Sequence, residues 1–374
     1  MCRISVSKDD IAQLEWLYDG RKAYFGELHD HAATGGRSDG HCTLDEWKVG
    51  MAELNMDFAT IVDHKQVRHM YLEEWDDTMF IGGTEAATWL TDRPHLPIRN
   101  AEDKLINGLH YNMIFAAPEP LLEMLQSRPE FQFEGDALNG IFPRYPKYTV
   151  KEFQALIAEV KERGGFVCNV HPKANGMGNS DDPMDFWFAD ETGLEVIYTF
   201  RSNRDGEVTG RNYKLWTDLL RLGKRIWATA GNDEHRKPSD KALSTIYADC
   251  KHAQSFVGRL RVGDLTAGPV GIRMCIGDTV TGGICDFAGK RLVVAVGDFH
   301  SSVADPTHTY RVDIFADEAL IYSQPVSCKD TSWFATDTSD CHYYRAEVFD
   351  TTLNSRIAIG NPIWNEQKTG ECKA

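Results

Sequence analysis

The sequence predicts an α/β fold in two parts: a mainly parallel sheet, open or closed into a barrel, over residues 1–254, and a small antiparallel β-sandwich over 255–374. Three observations predict it. Helix and strand signals alternate from about residue 21 to about residue 250, as repeated helix-to-strand units do in a parallel sheet. Strand-like runs such as "MDFATIVDH" are apolar on both faces. After about residue 255, short β-type runs follow one another between Gly, Asp and Pro with no helical period. A chain of 374 residues is also long enough for a large core and a smaller one.

Taken in order, "AYFGELHDH" reads as a strand entering a glycine-rich loop. "TLDEWKVGMAEL" opens on a capping box, Thr43 with Glu46, and its apolar Leu44, Trp47, Met51 and Leu54 make an amphipathic helix. "MDFATIVDH" and "MFIGGTE" follow as strands. "RNAEDKLING" and "RPEFQFEGDALNGIFPRYPKY" read as insertions, the second with Phe131, Phe133, Phe142, Tyr145 and Tyr148 packed on its own domain. A second capping box, Thr149 with Glu152, starts a helix with Val150, Phe153, Leu156, Ile157 and Val160 on one face; Gly164 and Gly165 stop it before the strand "FVCNVHP". "LEVIYTF" is strand, "YKLWTDLLRLG" helix, and "KRIWATAGNDEH" strand and loop. The sandwich is read from "RLVVAVGDF", "TYRVDIFADEALIYS", "CHYYRAEVFDTT" and "RIAIGNPIW".

Charge narrows the function. A formal net charge of −16, a pI near 5.3 and no cationic run argue against nucleic acid or an anionic membrane as partner. Residues 1–20 lack a leader-like apolar stretch, and nowhere do 18 consecutive apolar residues occur. Nine cysteines, an odd number without C-x-x-C, fit a reducing compartment, so the expected location is cytoplasmic. Cys168 reads as a small buried hydrophobe, and Cys275, Cys285, Cys328 and Cys341 lack zinc-site spacing.

The chemistry concentrates in "YFGELHDHAATGGRSDGH". Strand alternation puts His29 and His31 on one face, where two imidazoles can share an ion. With 13 histidines in the chain, a chance H-x-H pair is about an even bet. The other strand ends change the odds. Asp39 follows the first strand, "ATIVDH" delivers His64, "MFIGGTE" Glu85, "FVCNVHP" His171, and "WATAGNDEH" Asp233 and His235. Carboxyl ends of parallel strands converge on the ligand site, so these groups are expected to meet. Asp63 faces away from its neighbour His64 and supports the structure; Glu85 can bridge two ions; Glu27, one pleat before His29, faces the interior behind the ligands.

In that order, "ELHDHAATGGRSDG", "IVDHK", "GGTE", "NVHP" and "AGNDEH" resemble the motifs of the polymerase and histidinol phosphatase (PHP) superfamily of metal-dependent phosphoesterases, over roughly residues 21–240. The resemblance implies a distorted seven-stranded β/α (TIM-like) barrel with two or three divalent ions, zinc, manganese or iron, in its mouth. It implies one ion on His29, His31, Glu85 and Asp233, a second on Glu85, His110 and His171, and a third on Asp39, His64 and His235. His110, in "GLHYNMIF", rests on the resemblance alone. The β-rich tail ending "RIAIGNPIW" is similar to that of the carbaryl-hydrolase branch. Asn232 stands where the family often has serine, and the loop between His31 and Asp39 is long, which leaves pocket shape open.

The expected activity is hydrolysis of small phosphate esters by a multinuclear, metal-activated hydroxide; no G-x-S-x-G nucleophile motif is present. Alternatives are a carbamate, carboxyl ester or amide hydrolase with the same ions, and a metal-binding scaffold without catalysis. The general acid is a metal-bound water or, with only two ions bound, His64 or His235. Among Lys65, Arg68, Lys173, Arg201, Arg204 and Arg236, Arg201 after "LEVIYTF" is the preferred anion clamp. The expected partner is a small anionic or ester substrate, with barrel support or homo-oligomerisation left to the tail and no metal role for His300, His308 or His342.

Overall fold

The structure, a computed structural model, describes residues 5–36, 38–93, 109–131, 146–173, 180–199 and 207–368. Six helices are present among them: α1 (Lys8–Leu17), α2 (Leu44–Glu53), α3 (Pro118–Ser127), α4 (Val150–Glu162), α5 (Glu207–Arg221) and α6 (Ala253–Val262). The first strands are β1 (Lys22–Asp30), β2 (Phe58–Ile61), β3 (Phe80–Leu90), β4 (Leu109–Phe115), β5 (Lys147–Tyr148), β6 (Phe166–Asn169), β7 (Thr192–Tyr198), β8 (Ile226–Gly231) and β9 (Ser244–Ala248). Then come β10 (Leu265–Ala267), β11 (Val270–Ile276), β12 (Thr279–Val280), β13 (Ile284–Cys285), β14 (Arg291–Phe299), β15 (Tyr310–Ala316), β16 (Ala319–Val326), β17 (Ser332–Asp337), β18 (Tyr343–Asp350), β19 (Ser355–Gly360) and β20 (Ile363–Asn365).

Both expected capping boxes form. Thr43 and Glu46 cap α2, which buries Leu44, Trp47 and Met51; Thr149 and Glu152 cap α4, which buries Phe153, Leu156, Ile157 and Val160. No helical period was expected after about residue 255, yet α6 runs on to Val262. His252 caps it, Gly263 at φ 74° ends it, and its buried Ala253, Phe256, Val257 and Leu260 join the core beneath the first sheet.

Seven strands of the larger sheet, in the order β1-β2-β3-β4-β6-β7-β8, carry the expected alternation. The pairs β1/β2, β2/β3, β6/β7 and β7/β8 are parallel. β4 runs against both its neighbours, β3 and β6. Antiparallel neighbours need no crossover helix, which is why no helix-to-strand signal marks this step.

The seven strands do not close into the expected TIM-like barrel. β8 meets β1 through one isolated parallel bridge, Asp30 to Glu234, with His31 N–H donating to the Glu234 carbonyl and Asp233 N–H to that of His29, each at 2.9 Å. The cause is β9, which pairs antiparallel with Lys22–Gly26 and occupies that edge of β1 up to the bridge. β9 in turn pairs β10, and β10 pairs β19, so the sheet runs on into the tail. There the antiparallel strands β15, β16, β18 and β19 and the four-stranded sheet β12-β11-β14-β17 enclose a second apolar cluster that includes Ile272, Leu292, Val312 and Val348.

Among the described residues no helix is long and apolar enough to cross a membrane. The seven cysteines there are all free, and Cys168 is buried with Sγ 3.3 Å from the Thr229 hydroxyl.

α1 shows how the chain's start is held. Ser7 caps it, and Asp10 accepts from Ser7 N–H at 2.8 Å and from Arg291 Nε of β14 at 3.0 Å. Burial pushes the Asp10 carboxyl up, but these donors outweigh it and hold it below the usual value. A depressed carboxyl stabilises the fold above its unfolded pKa, about 4, and that contribution disappears as pH falls through the lower folded value. Asp10→Asn should therefore lower the melting temperature at pH 7, by the equivalent of about 1 kcal/mol, and the difference from wild type should shrink as pH falls through the depressed folded value. A difference that stays constant with pH would refute this linkage.

Candidate metal centre

Each ligand-grade side chain reaches one cavity by a local device. β1 ends at Asp30, and His29 and His31 turn inward together. A bulge in β1, where Glu27 pairs Ala59 but Asp30 pairs Ile61, reverses the alternation upstream. Glu27 consequently does not back the ligands as alternation suggested. It contacts Asp30 instead and accepts from Asn232 Nδ2 and from Ser239 N–H. Burial pushes Glu27 well above the usual carboxylate range and raises Asp30 to about 7, so this acid pair holds a proton.

Glu85 is not at a strand end. It lies inside the eleven-residue β3, which outruns β2; its N–H donates to the Val62 carbonyl at 2.8 Å. Along residues 82–88 β3 also pairs β4, with Glu85 opposite Asn112 and Ala87 opposite His110. The reversed direction of β4 is what brings His110, at a strand start, to the end where parallel neighbours finish. His110 Nδ1 lies 2.6 Å from Glu85 Oε1.

Three donor groups result, in each of which one atom per residue lies within 4.8 Å of the others: His29, His31, Glu85 and Asp233; Glu85, His110 and His171; and His31, Asp39, His64 and His235. Glu85 Oε2 stands 3.3 Å from His29 Nε2, 3.2 Å from His31 Nε2 and 3.3 Å from His64 Nδ1, while Oε1 is 3.2 Å from His171 Nε2. Asp233 Oδ1 is 3.3 Å from His31 Nε2, and Asp39 Oδ2 is 3.4 Å from His235 Nε2 and 3.6 Å from that of His64. His171 and Asp233 adopt left-handed backbone, φ 34° and 54°, to swing their side chains inward.

Electrostatics match the geometry. Burial opposes charge on Glu85, yet His64, His29 and His110 hold it well below the usual range; Asp233 is likewise depressed, chiefly by His29 and His31. Asp39 is brought to about 2 against its own burial by His235, His64 and His31. Burial also opposes protonation of His29, His31 and His171, but Asp233, Glu195 and Glu85 raise His29 well above normal. The carboxylates of Asp233 and Glu85 raise His31 to about 10 and His171 in the same direction. Burial instead pushes His64 down to about 4, so its ring is neutral at pH 7 and suited to accept a proton or bind an ion. Ionised carboxylates around proton-hungry imidazoles, mixing nitrogen and oxygen donors, fit divalent ions of the zinc, manganese or iron class, whose binding would release those protons.

Two interior groups escaped sequence reading. Glu195 accepts from His29 Nδ1 at 3.1 Å and from His171 N–H at 2.7 Å, and the Tyr198 hydroxyl donates to Asp233 Oδ2 at 3.2 Å. A lone carboxylate within the apolar "LEVIYTF" was the available signal for Glu195. A bulge between Glu195 and Ile197 brings Tyr198 to the same face, which strict alternation would deny.

Arg201 and Arg204 lie outside the described residues, as do Phe133, Phe142 and Tyr145. Lys173 donates to the Ser180 carbonyl and lies 4.1 Å above the Phe186 ring, and Arg236 is exposed. Asp63 supports the loop after β1, accepting from Ala32 N–H and the Thr34 hydroxyl. Among the tail histidines, His308 lies 2.6 Å from Asp350 and His342 3.3 Å from Asp317, and none joins a donor group. His69, five residues after His64, joins no donor group and is fully buried 3.5 Å from Asp63. His69→Ala should therefore destabilise the protein by roughly 2 kcal/mol through the cavity it leaves, read as a lower denaturation midpoint with metal content unchanged once folded.

No protein-family model matches the chain, and no curated protein does. Among solved structures, the chain is similar to a two-domain protein of Bacteroides vulgatus containing a predicted PHP-like metal-dependent phosphoesterase: 11% identity, TM-score 0.42, covering 92% of this chain and 96% of that one. It is also similar to Endonuclease Q in complex with an abasic-lesion duplex and to the lesion-specific endonuclease of Pyrococcus furiosus. Both are 12% identical at TM-score 0.42, over 65% of this chain and 58% and 57% of theirs. Likeness of this degree carries no functional weight.

Proposed function

We propose that the chain is a metal-dependent hydrolase of the PHP kind, acting on small phosphate esters. The observation that carries this reading is the sharing of ligands between neighbouring donor groups, Glu85 and His31 each belonging to two. Shared ligands would hold ions side by side, an arrangement that suits in-line displacement at phosphorus. His29, His31, Glu85 and Asp233 would hold one ion, Glu85, His110 and His171 a second, and Asp39, His64 and His235, with His31 beside them, a third. Such ions supply Lewis acidity, lower the pKa of water and, against three carboxylates, leave about three positive charges facing the substrate.

The chain's own groups do the rest. Glu195 and Tyr198 orient ligands from behind. With ions at the two buried positions alone, His64, neutral at pH 7, would accept a proton at the rim, and His235, across Asp39 from it, would donate one to the leaving oxygen.

Protein reconstituted with zinc, manganese or iron should be screened against phosphomonoester, phosphodiester, carboxyl ester and carbamate reporters. Turnover of the phosphomonoester above the others supports the proposal. Preference for the carbamate or carboxyl ester moves the same site to another bond class, and metal-replete protein inert on all four overturns it.

A further inference from the structure

We propose that Glu195 is a positioning residue that couples the two buried ion positions, orienting one ligand of each. It takes no place in the donor groups themselves. Its Oε1 receives the Nδ1 side of His29, a member of the first group, and its Oε2 receives the backbone N–H of His171, a member of the second. When Nδ1 donates to Glu195, the lone pair of His29 Nε2 faces Glu85 and Asp233, both within 3.5 Å. The second bond anchors the peptide at which the chain turns into the left-handed conformation that aims His171 at Glu85.

The surroundings are shaped to the carboxylate. Glu195 is 1% exposed on the strand face that looks into the cavity. On the neighbouring β8, Gly231, which pairs with Tyr198, lies where a methyl group would collide with Glu195 Oε1 and the His29 side chain. Behind it, Asn212 of α5 donates to the Glu195 carbonyl at 2.9 Å and accepts from Lys173 N–H at 3.2 Å, fixing the strand to the segment after His171. A carboxylate with both oxygens used, facing a glycine that leaves it room, is a placed group rather than a filler.

This inference rests on the metal reading above. Glu195→Gln keeps the volume but offers one acceptor oxygen for two donors, so either His29 or the His171 peptide loses its partner. Zinc binding to chelator-stripped protein, measured by competition with a colorimetric chelator, should weaken about 10- to 100-fold at the buried positions. Long-range 1H–15N spectra of zinc-loaded protein should show the His29 Nδ1 proton shifted from its wild-type position, a change that general loosening of the fold would not confine to His29. Gly231→Ala, whose methyl would press on Glu195 Oε1 and on the His29 side chain together, should weaken zinc in the same direction and serves if Glu195→Gln does not fold. Wild-type zinc affinity and His29 spectrum in folded Glu195→Gln, or in Gly231→Ala, would overturn the role of Glu195 and leave the hydrolase proposal standing. Wild-type protein that itself retains less than one zinc overturns both.

Discussion

Glu85→Gln should strip the protein of ions and reduce turnover by about three orders of magnitude or more, some 4 kcal/mol of transition-state stabilisation at 1.36 kcal/mol per decade. The size follows from position. One Glu85 oxygen stands within 3.3 Å of three imidazoles and the other within 3.2 Å of two, so the carboxylate is the hub of two donor groups. Removing its charge leaves ion–ion repulsion less screened and replaces one oxygen by an amide nitrogen that cannot ligate. Elemental analysis of the purified variant, beside kcat on the ester found in the screen, checks this. A variant with full metal content and near-normal kcat would remove the bridging role of Glu85 and the proposed number of ions with it.

Chelation should abolish turnover entirely, and it should do so in stages. Asp39, His64 and His235 have side chains 54%, 27% and 19% exposed, whereas His29, His31 and Glu85 are at most 1% exposed. Ions held by the first set are open to a chelator from solvent; those held by the second wait on an opening of the cavity. Timed sampling during dialysis against a strong chelator should show one equivalent leaving before the rest, and restored metal should restore rate. Loss of all ions in one kinetic step would contradict the ranking of the sites by burial.

Much of the side-chain cluster was legible because its members come in pairs or at recognisable strand ends. His29 with His31 and Asp233 with His235 converge as read, and Glu85 stood out as the carboxylate able to bridge. Other parts were illegible for geometric reasons. Nothing in "GLHYNMIF" tells that β4 runs backwards, so His110 could be placed only by resemblance, and Glu85 read as terminal because the glycines before it hide a strand that continues to Leu90. One-residue bulges in β1 and β7 shift Glu27 away from the ligands and Tyr198 towards them, and a period-two reading cannot register an inserted residue. α6 was different: Ala253, Phe256, Val257 and Leu260 carry a helical spacing that was there to be read.

β9 has a thermal consequence. By occupying the first half of β1 and passing the ladder to β10 and β19, it makes one hydrogen-bonded fabric of the metal centre's sheet and the tail. Asn361 stitches the seam further, accepting from Ala228 N–H at 2.6 Å and donating to the Ala228 carbonyl at 3.2 Å, next to β8's inner face. Neither side of that seam can melt without exposing backbone donors and acceptors of the other. Heating the protein in a calorimeter should give a single endotherm, and adding the bound metal should shift that whole peak upward rather than split it, because ions gripped at one end stabilise strands far along the same ladder.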